Sequence, residues 1–294
     1  VELIASPILD AGASLGEGPL WDSQAGLLHW IDINNNRVHT FDPQSGKDSF
    51  KDVGEKIGCI VKRSANSPSD GGFIISLPEK FASLRDGKVT TIAILEQGLG
   101  NRMNDGKCDP AGRFWCGSVA LDEKEGAGNL WMMDKDLTIT KKLSGVTISN
   151  GLAWTADCRT LYYIDTPTGH LEAFDYDIAS GAITNRRVAF KNTWGGHFDG
   201  MTIDTDDNLY IAIWSGGCVL KINPRTAQLL ARITVPGVKN VTCCTFGGPA
   251  LEDLFITTAA AGADRQAEPN AGALFHINLN FTGNKGLPAF EFCG

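Results

Sequence analysis

L-Y-Y-I-D (161–165) is a run of branched and aromatic side chains closed by an aspartate, and it has five counterparts: L-H-W-I-D (28–32), F-I-I-S (73–76), F-W-C-G (114–117), L-Y-I-A (209–212) and L-F-I-T (254–257). Runs of this composition suit a buried β-strand. Their first residues lie 45, 41, 47, 48 and 45 positions apart. Polar turns rich in Gly or Asp precede them, as in Asp109-Pro110-Ala111-Gly112 and Asp204-Thr205-Asp206-Asp207-Asn208, and such turns read as hairpin connections. Most are followed by a second alternating run, for example Leu171-Glu172-Ala173-Phe174-Asp175. A period in the forties filled by about four short strands marks propeller blades. The spacing therefore predicts one all-β domain over 1–294, a six-bladed β-propeller with four-stranded blades around a central channel. An irregular array of hairpins or two stacked sandwiches is the competing architecture, and the regular period speaks against it. Either residues 2–9 or residues 287–292 could close the ring by completing a blade begun at the other end.

Composition narrows the function. Apolar residues make up 43% of the 294, enough for a large core, and Asp and Glu outnumber Lys and Arg by 34 to 26. With no basic surface to gather phosphates, neither nucleic acid nor an anionic membrane is an expected partner. No apolar window approaches the roughly 18 residues a spanning helix needs, and the opening Val1-Glu2-Leu3-Ile4 lacks the basic start of a secretory leader. The eight cysteines include the adjacent Cys243-Cys244 and no C-x-x-C pair. Free thiols and a reducing, cytoplasmic setting are expected rather than a disulfide framework or a thiolate zinc site.

The repeat also locates polar residues relative to the channel. Residues opening the innermost strands of a propeller meet beside its axis. Glu17 stands eleven residues before its β-run, Asn104 ten, Asn150 eleven and Asp199 ten, so four oxygen-bearing side chains fall at one level. The second and sixth repeats put Gly58, Cys59, Thr242 and Cys243 there, leaving the polar cluster on part of the ring. Singly, Asn150-Gly151 and Asp199-Gly200 read as turn dipeptides and Glu17 as a loop carboxylate. Together they put two carboxylates in one channel, which raise each other's pKa unless a cation lies between them. Glu17, Asn150 and Asp199 offer only oxygen, which suits calcium, magnesium, manganese, zinc or iron(II). Three protein ligands leave positions open for water and substrate. His197 reads as a residue of the channel mouth, since no second histidine shares its phase.

The segments G-E-G-P-L-W (16–21), N-R-M-N-D-G-K-C-D-P-A-G-R-F-W-C-G (101–117), S-N-G-L-A-W (149–154) with Y-Y-I-D (162–165), and F-D-G-M-T-I-D (198–204) resemble the gluconolactonase/regucalcin family, also called the senescence-marker-protein-30 family. The resemblance implies a six-bladed propeller that hydrolyses a small sugar lactone with one divalent cation on Glu17, Asn150 and Asp199. It further implies that Arg102 and Asn104 contact the substrate and that Asp122 completes the sugar contacts, a position where some members carry Glu. Phe198 stands where Pro is common in the family.

Lactone hydrolysis builds negative charge on the carbonyl oxygen, which a cation stabilises. Asp199 is then expected to serve also as proton acceptor, with Arg102, Asn104 and Asp122 orienting the sugar and Asp105 either supporting the metal shell or serving a turn. A monomer or weak dimer acting on a small-molecule lactone is the expected form. The rivals are a non-enzymatic calcium-binding propeller and an arylesterase or organophosphate hydrolase using the same ion, with Trp194 supplying an apolar wall. No G-x-S-x-G, H-E-x-x-H or phosphate loop occurs.

Overall fold

In the computed structural model, which describes residues 2–67 and 71–294, nearly all regular structure is β-strand, with two short 3-10 turns. Val1 of the opening tetrapeptide lies outside the described residues. Six antiparallel sheets follow one another along the chain, one for each repeat. Their first strands are Gly16–Asp22, Cys59–Lys62, Asn101–Cys108, Ser149–Trp154, His197–Ile203 and Val241–Gly247, and each packs against the first strands of its neighbours. These six strands form the wall of the central channel, and the sheets are the blades of a six-bladed β-propeller.

The repeated runs work because side chains on a strand alternate between its two faces. In the fourth blade Leu161 and Tyr163 pack toward the third, while Tyr162 and Ile164 pack toward the fifth. Among the described residues six apolar clusters result, one at each junction between adjacent blades. A strand that buries both faces reads as a continuous apolar run. The outermost strand of the first blade, Lys47–Asp52 (K-D-S-F-K-D), is exposed and charged, which blunts its free edge.

Ser6–Leu9 closes the ring, pairing antiparallel with Leu274–Asn278 as the outer strand of the sixth blade. Glu2–Ile4 adds a parallel fifth strand to the neighbouring blade by pairing with Gln228–Thr234. The alternative closing segment has a different place: residues 287–290 lie across the lower mouth of the channel. All eight cysteines are free thiols. No helix is long and apolar enough to cross a membrane, among the described residues.

Five innermost strands carry a bulge or irregularity: two residues face one partner at Gly18-Pro19, Asn104-Asp105, Asn150-Gly151 and Asp199-Gly200, and Thr242 is an extra residue in the sixth blade. Bulges bend a strand and re-aim its side chains. The bend also brings backbones close: a Cβ on Gly151 would stand 2.9 Å from the Asp199 carbonyl oxygen and 2.7 Å from Met201 Cγ. Glycine is required there by space.

Candidate active site

The bulges aim polar side chains at the upper end of the channel. A cavity of about 420 Å³ is lined there by Glu17, Arg102, Asn104, Asn150 and Asp199, with Glu123, Thr166 and His197 toward its mouth. Leu15, Ile33, Ile148, Pro167 and Trp214 supply an apolar side. Five of the residues singled out from repeat phase and motif thus share one cavity.

The strand-ending aspartates of the repeat prepare two of these positions. Asp32 accepts the backbone N–H groups of Ser14 and Leu15, and Asp165 those of Thr147 and Ile148. Leu15 and Ile148 each stand two residues before a cavity side chain, Glu17 and Asn150. The final D of W-I-D and Y-I-D was the available signal for this support; the repeat makes it look like a mere strand end.

Asn150 is fixed by a chain of bonds. Its Nδ2 donates to Thr166 Oγ1 at 2.7 Å, and that hydroxyl donates to the carbonyl of Phe198, next to Asp199, at 2.8 Å. Its Oδ1 accepts from Asn104 Nδ2 at 3.1 Å, and Asn104 Nδ2 also donates to the Ser149 carbonyl at 2.7 Å. Asn104 Oδ1 in turn accepts from Arg102 Nη1 at 2.6 Å. Asn104 therefore links the guanidinium to the Asn150 amide.

Glu17 and Asp199 are each only 8% exposed, and neither forms an ion pair among the described residues. Glu17 accepts the N–H of Gly18 at 2.8 Å. Burial, reinforced by the charge of Asp105, pushes its carboxyl up to about 8. Burial, then the charges of Glu17 and Asp105, raises Asp199 well above the usual carboxylate range. Arg102 is drawn down by burial, against the pull of Glu17, Asp199 and Glu123. Two buried carboxylates with a fixed amide oxygen and no directly ion-paired side chain fit a hard divalent ion. No group of three or more His, Cys, Asp or Glu converges among the described residues, so such a site would need the Asn150 oxygen.

Three residues named from the sequence fall outside the cavity lining. Asp122 does not line the cavity; it is exposed, and its carboxylate accepts the N–H of Lys124 at 3.1 Å, closing its own turn. Glu123 faces the mouth instead, from a left-handed backbone with φ of 54° that swings the following side chain round. Trp194 is 57% exposed over a separate cleft on the rim, and Trp214 is the tryptophan in the cavity wall. Asp105 faces the opposite way, into a small chamber lower in the channel that it shares with Lys107. His197 stands at the mouth, exposed and paired across the sheet with Trp214.

The family model for the SMP-30/Gluconolactonase/LRE-like region matches residues 15–260. Regucalcin of Danio rerio is 35% identical over 288 residues, with 95% of each chain covered. A Bacillus subtilis (strain 168) protein, YvrE, named as a candidate sugar lactone lactonase, is 34% identical over 287 residues, covering 95% of this chain and 96% of its own. Among solved structures, regucalcin of Agrobacterium tumefaciens strain C58, described as a calcium-binding protein, superposes with a TM-score of 0.90 at 26% identity, covering 99% of this chain and 98% of that one.

Proposed function

This chain belongs to the SMP-30/gluconolactonase/LRE-like family, and we propose that its upper cavity hydrolyses a small sugar lactone with the help of one divalent cation. The observation that carries the reading is the pair of buried carboxylates, Glu17 and Asp199, beside the oriented amide of Asn150 and the guanidinium of Arg102. Glu17, Asn150 and Asp199 would hold the ion, and calcium is the first candidate given the description of the Agrobacterium relative. A divalent ion bound there would polarise the lactone carbonyl and make water a better proton donor.

Asp199 is the residue we assign to proton transfer. A carboxylate in the cavity, ionised when a cation lies beside it, can take a proton from water and give it up again. The water oxygen bonds to the carbonyl carbon and its proton passes to Asp199. The ring carbon–oxygen bond then breaks, and Asp199 returns the proton to the departing ring oxygen, leaving the open hydroxy acid. Arg102 and Asn104, bonded to each other, present one face to the substrate, and Glu123 at the mouth accepts from its hydroxyls.

A second reading, ion binding without catalysis, is favoured by the relative described as calcium-binding. One assay separates the two: acid release from a panel of aldonolactones by metal-stripped protein, with calcium, magnesium, manganese, zinc or iron(II) added back. The expected result is activity lost on stripping and restored by at least one ion. Full turnover in verified metal-free protein would overturn the mechanism, and no turnover with any ion would leave the ion-binding reading.

Specificity gives a further expectation. Glu123→Ala should raise KM for polyhydroxylated lactones roughly tenfold, the size of a lost charge-assisted hydrogen bond. Asp122→Ala, altering an exposed turn, should leave KM within about twofold, a surface-substitution effect. Steady-state kinetics on the two variants check the assignment, and the reverse order would restore Asp122 to the site.

A further inference from the structure

At the junction of the second and third blades lies a buried carboxylate that the mechanism above does not use. Glu96 follows the outer strand Lys88–Ile94 of the second blade and projects into the third. Its Oε1 accepts from Ser118 Oγ at 3.0 Å, Asn129 Nδ2 at 2.6 Å and Trp131 Nε1 at 2.7 Å, and its Oε2 accepts from Asn101 Nδ2 at 2.8 Å. The four donors come from three strands: Asn101–Cys108, Phe114–Ala120 and Gly128–Met133. Glu96 is 8% exposed and its backbone is left-handed, with φ of 55°, an unfavourable state for any residue but glycine. Removing such a carboxylate would leave several buried donors unpaired at once.

The bonds of Glu96 reach both charged side chains that face the substrate from the third blade. Asn101 immediately precedes Arg102, and the same Asn101 Nδ2 also donates to the Ala127 carbonyl at 2.9 Å. Ala127 ends the turn segment that carries Glu123. The Glu96–Asn101 pair therefore ties the base of Arg102 to the base of the Glu123 loop. We propose that Glu96 is a positioning residue that sets the placement of Arg102 relative to Glu123 and thereby the preference for a hydroxylated lactone over a bare one. The specificity half of this proposal rests on the lactonase reading; the positioning half does not.

The test compares Glu96→Gln with the parent on a polyhydroxylated δ-lactone and on δ-valerolactone, which has no hydroxyl for Arg102 or Glu123 to hold. Loss of one or two well-placed hydrogen bonds predicts a fall of about 10- to 100-fold in kcat/KM on the hydroxylated substrate, nearly all in KM, and less than about threefold on δ-valerolactone. Trp131→Phe, which removes one of the four donors and spares the carboxylate, should show a smaller rise in KM on the hydroxylated substrate and guards against a Gln variant that fails to fold. Equal losses on both substrates, as lowered folded fraction would give, or no loss on either, would overturn the proposal. Amide hydrogen exchange supplies an arm independent of activity. Faster exchange confined to residues 96–103 and 121–128 in the variants is expected, whereas unchanged exchange, or acceleration throughout the chain, counts against positioning. If the parent hydrolyses no lactone at all, the lactonase reading fails and the exchange result alone decides the positioning.

Discussion

Asp199→Asn, refilled with saturating divalent ion, is expected to turn over its lactone about 10²- to 10⁴-fold more slowly than the parent, the usual loss when a general base is removed. The substitution keeps an oxygen able to reach an ion but removes the negative charge and the ability to take a proton near neutral pH. Ion binding should weaken yet remain saturable, so turnover can be read on a filled site. Asn150→Ala is the comparison. It deletes a neutral oxygen donor and the bonds to Thr166 and Asn104, but no proton acceptor. Excess ion should therefore restore much of its turnover. Near-normal turnover in ion-saturated Asp199→Asn would reduce Asp199 to a ligand. The base would then be Glu17, the other deeply placed carboxylate of the cavity, because Asp105 lines the lower chamber and Glu123 stands toward the mouth.

The propeller was legible because each blade buries both faces of its middle strands. That requirement turns L-Y-Y-I-D and its counterparts into unbroken apolar runs, and a hairpin fixes the innermost strand at a nearly constant distance before each run. Counting back therefore brought Glu17, Asn104, Asn150 and Asp199 to one level, and the cavity contains all four. What aims them was not legible. A bulge is one extra residue in a strand, and its mark here, a glycine in three of the four two-residue bulges, reads equally well as a turn dipeptide. In the first blade it falls one step later, at Gly18-Pro19 rather than at the position of Glu17. The placement of Asp122 in its own turn and of Glu123 at the cavity mouth has a similar origin. The repeat constrains strands, whereas the loop between them can shift by one residue and present a different neighbour. Ring closure by Ser6–Leu9 and the Glu96 network depend on partners distant in sequence or spread over three strands, which no local pattern records.

Without ion, the protein is expected to lose stability as the pH rises from about 5 to 8, and with saturating ion the trend should reverse. The cause is the proton held by Glu17. Its ordinary value is 4.5, and burial beside Asp105 carries it to about 8 in the folded protein. The folded state thus binds that proton more tightly than the unfolded chain does. Below 4.5 both states are protonated and the full stability is present; between 4.5 and 8 the unfolded chain has released a proton that the folded protein still holds. Stability falls through that window by up to about 1.4 kcal/mol per pH unit, a loss on the order of a few kcal/mol in all. Asp199, raised by burial and by Glu17, acts in the same direction. An ion that requires both carboxylates ionised competes with those protons, so its stabilising effect grows with pH and is largest near pH 8. Calorimetric melting at pH 5, 6, 7 and 8, in chelator and in excess ion, reads both slopes. Glu17→Gln, with no proton to release, should flatten part of the ion-free slope and lose most of the stabilisation by ion. An ion-free profile that stays level between pH 5 and 8, or a Glu17→Gln profile as steep as the parent's, would show that the two carboxylates are already neutralised and that no ion is needed between them.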